Sequence, residues 1–99
     1  MDHLAETLDG AADDLRTVER AMAQLTVPPG TFGEATPTGA PGRLGRDLHE
    51  HWTAAVAARA QEAAGASARL TAMATAVRAV RDDYLETDDA VRRRLAREL

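Results

Sequence analysis

All four prolines of this 99-residue chain fall within residues 26–43, in company with four of its seven glycines. Proline has no backbone N–H and its ring clashes with the preceding helical turn, so this stretch cannot belong to a continuous helix. The flanking segments, 2–25 and 44–97, contain no proline at all. A chain punctuated in this way can form two helices joined by a long connection over residues 26–43, and little else. The three aromatics, six valines and absent isoleucine leave almost nothing from which to build a sheet. Ala, Glu, Leu and Arg account for 51 of the residues, the composition of long helices and coiled coils. Leu, Val and Phe number only 17, close to the floor of about 20% below which globular cores fail. With a net charge of only −4, however, the chain lacks the charge excess of a disordered one.

Segment 2–25 carries apolar residues at Leu4, Leu8, Ala11, Leu15, Val18, Met22 and Leu25, in steps of 4-3-4-3-4-3. That alternation is a heptad seam, which predicts an amphipathic helix that packs by inserting side chains into a facing helix. Asp2 can cap its start, and Glu6 and Asp9 suit the positive end of the helix dipole. Gly10 costs about 1 kcal/mol relative to alanine, so either the helix starts weakly or a partner backbone comes close there.

Segment 44–97 continues the pattern with Trp52, Val56, Ala63, Ala66, Leu70, Met73, Val77, Val80, Tyr84 and Val91, interrupted by Arg59 and Thr87. Between Ala54 and Ala68 nine of the fifteen residues are alanine, with Gly65 among them. Small side chains there let helix axes approach closely; Gly65 can equally mark a bend. Phe32, the only phenylalanine, lies in the connection and is expected to fold back over the end of the helix pair. Gly33 and Trp52 join it as the expected loop-packing residues.

The two segments are unequal. At ~1.5 Å per residue the first helix spans about 36 Å and the second about 80 Å. The shorter can cover less than half of the longer one's seam, leaving Leu70, Met73, Val77, Val80, Tyr84 and Val91 partly exposed. The expected fold is therefore all-α, an antiparallel two-helix hairpin that pairs with a second copy, or with a homologous hairpin, into a four-helix bundle.

Sites for chemistry are absent from this pattern. His49 and His51 stand two apart on a helix and point in different directions, and His3 is on another element, so no metal site is expected. Ser67, the only serine, has no histidine in register, and the acidic pairs Asp13-Asp14, Asp82-Asp83 and Asp88-Asp89 diverge around their helices. No phosphate-binding glycine loop follows a strand. The chain reads as a non-enzyme without cofactor. The run Arg92-Arg93-Arg94-Leu95-Ala96-Arg97 follows five acids, Asp82, Asp83, Glu86, Asp88 and Asp89, which repel nucleic acid. An acid-first pair at i, i+4 such as Asp88–Arg92 supports the helix instead. No apolar run reaches the ~18 residues of a membrane span. The beginning Met1-Asp2-His3 lacks the basic and apolar regions of a signal peptide.

Two short motifs remain. Tyr84 and Asp88, four apart in Tyr84-Leu85-Glu86-Thr87-Asp88, share one helical face. The connection contains Val27-Pro28-Pro29-Gly30-Thr31-Phe32-Gly33. A two-helix chain of about this length with a Tyr-x-x-x-Asp near its end and a Pro-Pro-Gly-x-Phe-Gly connection resembles the type VII secretion substrates of actinobacteria. Within them it is most similar to the EspC-like family. The related core WXG family, the ESAT-six-like hairpins, places Trp-x-Gly in the turn, whereas here Trp52 is followed by Thr53 and Ala54 inside the second helical segment. The joint absence of Lys, Ile and Asn, all with AT-rich codons, fits a GC-rich genome of the actinobacterial kind.

The resemblance implies export as a folded helical hairpin, usually dimeric, by a route that needs no cleavable signal peptide. The protein would be cytoplasmic before export and secreted or cell-surface afterwards. Tyr84 and Asp88 would form the recognition signal, read by the membrane ATPase of the secretion apparatus or its associated components. A second expectation stands beside it: an intracellular helical adaptor or chaperone that pairs with a larger exported effector or toxin.

Overall fold

A computed structural model describes residues 1–33 and 39–99. It contains two helices, α1 (Asp2–Ala23) and α2 (Ala40–Glu98), packed antiparallel as a hairpin. Residues 34–38, part of the connection expected over 26–43, lie outside the described residues.

Both helix boundaries differ from those expected. α1 gives way to turns two residues early, with Gln24 and Leu25 donating their N–H groups back to Ala21 and Met22. α2 begins at Ala40, four residues before Leu44, and takes Pro41 into its first turn. Proline is tolerated there because the first helical N–H groups have no intrahelical acceptor to lose. Gly39 precedes it at φ +93°, a left-handed conformation that favours glycine.

The molecule measures 91 × 14 × 12 Å. Fifty-nine residues of α-helix at ~1.5 Å each come to about 88 Å, so α2 runs straight along nearly the whole length. Gly65 therefore marks no bend. Nor does it admit α1, because a Cβ built there would meet only the Arg69 guanidinium, at 3.4 Å.

The contacts fix the register. Ser67 Oγ donates to the Ala12 carbonyl at 2.9 Å, and Arg16 donates to Thr71 Oγ1 at 2.9 Å. Arg78 pairs with Asp9 at 2.5 Å, and Arg81 pairs with Asp2. At the other end the Trp52 indole N–H donates to the Leu25 carbonyl at 2.6 Å. α1 and its trailing turn thus accompany α2 from about Trp52 to Arg81.

The line of contact is not the seam of large apolar residues expected from the sequence. The buried side chains are Ala5 and Ala12 on α1, facing Ala63, Ser67 and Ala74 on α2. Among the described residues no large side chain is fully buried. The Ser67 bond gives the physical reason: a hydroxyl one carbon from the α2 backbone reaches a carbonyl of α1, so the two backbones lie one serine apart. Only small residues fit between helices at that distance. The larger residues are displaced to the flanks, where Leu8, Leu15, Leu70 and Val77 are half-buried and Leu4, Val18, Met73 and Val80 are exposed.

Candidate functional site

The line of small residues divides the hairpin into two unlike edges. Along one edge run polar links between the helices, Asp9 to Arg78 and Arg16 to Thr71. Along the other, Met1 and Leu4 of the α1 end meet Ala76, Val77 and Val80 of α2 around an open, wholly apolar groove of about 230 Å³. The residues singled out as a pairing seam belong to this second side. Leu70, Met73, Val77, Val80, Tyr84 and Val91 follow one another at intervals of three, four or seven, which at 3.6 residues per turn keeps them in one stripe. That stripe lies roughly a quarter turn from the small-residue line.

Leu70 and Val77 are half-buried, whereas Met73 and Val80 are 52% and 58% exposed. The length argument expected this exposure because α1 would end too soon. In the structure α1 runs beside all four of them, down to Arg81. They stay exposed because α1 turns its small face to α2, leaving the larger side chains at the flank. Only Tyr84 and Val91 lie past the beginning of α1.

The distal stretch of α2, residues 82–98, has no neighbour among the described residues of the chain. Tyr84 is 65% exposed, and Leu85, Val91 and Leu95 are exposed as well. Asp88 is half-buried and forms an ion pair with Arg92 at 2.9 Å, the acid-first pair expected from the sequence. The Tyr84 and Asp88 side chains thus stand one turn apart on the first two turns beyond the α1 contact. Arg81, at the junction, also bonds Asp82 at 2.9 Å. The Arg81 guanidinium, by hydrogen bond and by charge, lowers the pKa of the exposed Asp2 carboxylate.

At the opposite end the connection is held down by α2. Phe32 is half-buried, with its ring edge-on to His49 at 6.5 Å between centroids and 61° between planes. His49 Nε2 lies 3.3 Å from the Val27 carbonyl. Gly33, at φ +80°, donates its N–H to Gly30 at 3.1 Å and closes the turn. The sequence placed His49 among exposed helix residues; the folded-back connection covers it, which corrects that reading. Its counterpart in the sequence was Phe32, an aromatic that must find an apolar partner, although nothing in the spacing selected His49 over its neighbours. His3 and His51 are exposed.

Among the described residues no group of three His, Asp or Glu converges as a metal site. No helix among the described residues is long and apolar enough to cross a membrane. Against known proteins, the chain matches no family model, no curated protein and no solved structure.

Proposed function

We propose that this protein is a non-enzymatic type VII secretion substrate of the EspC-like kind. It is exported folded and recognised through Tyr84 and Asp88, and its apolar face takes a second helical hairpin, either a copy of itself or a homologue. The observation that carries the reading is the position of Tyr84. It stands 65% exposed on a rigid helix, just beyond the last α1 contact, with Asp88 one turn further on the same face. A signal read on folded structure has to be accessible and oriented, and an aromatic beside a carboxylate on an uncovered helix gives the membrane ATPase such a handle.

The test replaces Tyr84 and Asp88 by alanine and follows the protein in cell pellet and culture medium of an actinobacterial host. Release is expected to fall about tenfold or more, a loss of recognition of about 1.4 kcal/mol or more, with the pellet level maintained. Unchanged release of the double variant overturns the signal, as does failure of the parent protein to leave the cell. Release that occurs only with a larger co-expressed effector transfers the role to the adaptor reading.

A further inference from the structure

The distal stretch of α2 has an uneven charge order that the export signal does not use. Residues 82–89 hold five acids, Asp82, Asp83, Glu86, Asp88 and Asp89, and no base. Residues 92–97 then hold Arg92, Arg93, Arg94 and Arg97 with no acid. Within one helix this order suits the dipole, but that effect is confined to the last turn and does not call for a block of five acids. Along both blocks the apolar stripe continues, broken only at Thr87, through Val80, Tyr84, Val91 and Leu95, all of them exposed.

A helix with an apolar stripe, one acidic half and one basic half is complementary to itself when reversed. We infer that the distal stretches of two copies of this chain pair antiparallel, about a two-fold axis near residues 89 and 90. The charges select that register. Setting the acidic block of one copy against the arginines of the other brings Tyr84 opposite Leu95 of the second copy and Val91 opposite Asp88. On the two flanks of the seam, Asp88 then faces the second copy's Arg92, and Asp83 faces its Arg94. A parallel arrangement sets acid on acid and base on base, which costs affinity and removes that alternative. The second copy lies along the apolar stripe, a quarter turn around α2 from α1, so the new contact is continuous with the apolar groove around Met1, Leu4 and Val80.

This inference rests on the apolar stripe being a pairing surface and is independent of export. It also adds a consequence. Tyr84 faces the seam, so paired stretches withhold it from any reader and separated ones present it; self-pairing and recognition compete for one residue. The contact is a single helix pair of roughly 26 Å, at the small end of specific interfaces (below about 1,200 Å²). Association is accordingly micromolar or weaker, and reversible.

Sedimentation velocity on the purified full chain across a concentration series tests the idea. The parent is expected to show a monomer–dimer equilibrium that weakens as salt is raised. Two variants make the register decisive, one that turns the flanks of the seam basic (D83R/D88R) and one that turns them acidic (R92E/R94E). Each alone should lose self-association by about tenfold or more in Kd, and an equimolar mixture should form a heterodimer. The chain has no cysteine, so Y84C and L95C variants read the orientation by oxidation. Antiparallel pairing gives cross-linked dimer mainly in the mixture of the two, and parallel pairing gives it in each alone. Dimers that persist unchanged in both charge variants, a mixture that stays monomeric, or Y84C cross-linking to itself would each overturn the inference. The first of these leaves the proposed function standing, with pairing moved to the face around Leu4, Val18 and Met73.

Discussion

Two stretches of the same helix behave differently although one apolar stripe runs along both. From about residue 52 to residue 81, α2 has α1 beside it and buries Ala63, Ser67 and Ala74, the smallest side chains it has. From residue 82 to residue 98 it makes no hydrogen bond or ion pair to α1 among the described residues and displays Tyr84, Leu85, Val91 and Leu95. A chain that packed to bury the most apolar area would do the opposite. Intrachain contact is instead centred on alanine and serine, which permit close backbones, and larger residues flank it, with Leu4, Val18, Met73 and Val80 left exposed. Each large side chain moved from water into an interface contributes about 1.5–3 kcal/mol, so this division leaves much of the available hydrophobic free energy unused within the hairpin.

The sharpest way to break that comparison is to place the same large residue in both stretches. Ala74 is fully buried against α1, and A74L inserts a branched side chain where the backbones are one serine apart. Overpacking of this kind costs typically about 1–3 kcal/mol, and the short interhelix distance puts the expected loss at the upper end. A90L in the distal stretch adds the same atoms to an exposed position, and surface changes there stay within about 0.5 kcal/mol. Thermal melts followed by helical circular dichroism should separate the two variants clearly. Equal melting temperatures would show that the alanine line is not the contact that holds the hairpin.

A smaller effect refines the same point. Ser67 is buried and its hydroxyl donates to the Ala12 carbonyl. That carbonyl also accepts the α1 helix bond one turn on, so S67A leaves no group wholly unsatisfied. The cost is expected near the low end for a lost hydrogen bond, about 0.5–1 kcal/mol, and the small side chain preserves the close approach. A loss as large as that of A74L would mean that the bond, rather than the spacing, positions the helices.

How much of this was legible beforehand follows from which residues stand out in a sequence. The four prolines and the 4-3 seams were enough for an antiparallel all-α hairpin, because both depend on backbone rules that tertiary context seldom overrides. The start of α2 was misplaced because Pro41 reads as a breaker unless the first helical turn is already located. The contact line was missed for a compositional reason. In a chain with 22 alanines, Ala5 and Ala12 do not announce themselves beside Leu4, Leu8 and Leu15. The usable signal was the matching seven-residue spacing of Ala5–Ala12 and Ser67–Ala74 on the two segments. Tyr84 and Asp88 were legible as a spaced pair, but their exposure depends on where α1 begins relative to α2, which is a property of the register.

The smallest expected effect lies at the boundary between the two stretches, where Asp2 closes the pairing of α1 with Arg81. The Arg81 guanidinium lowers the Asp2 pKa through its hydrogen bond and its charge, whereas in the unfolded chain the carboxylate returns to its ordinary value of 3.8. A carboxylate whose folded pKa is depressed binds fewer protons folded than unfolded, so its contribution is fully present above about pH 4 and fades as the pH falls through the depressed value. Both partners are at the surface, and such pairs contribute little to global stability. The expected readout is therefore local: below pH 4 the Ala5 amide, bonded to the Met1 carbonyl, should lose exchange protection while Ala12 and Ala74 keep theirs. D2N should remove the pH dependence and leave the start of α1 frayed at neutral pH. If protection at the α1 start is the same at pH 3 and pH 6, the Asp2–Arg81 pair does not define where covered helix ends and uncovered helix begins, and the small groove around Met1 and Leu4 must hold that boundary instead.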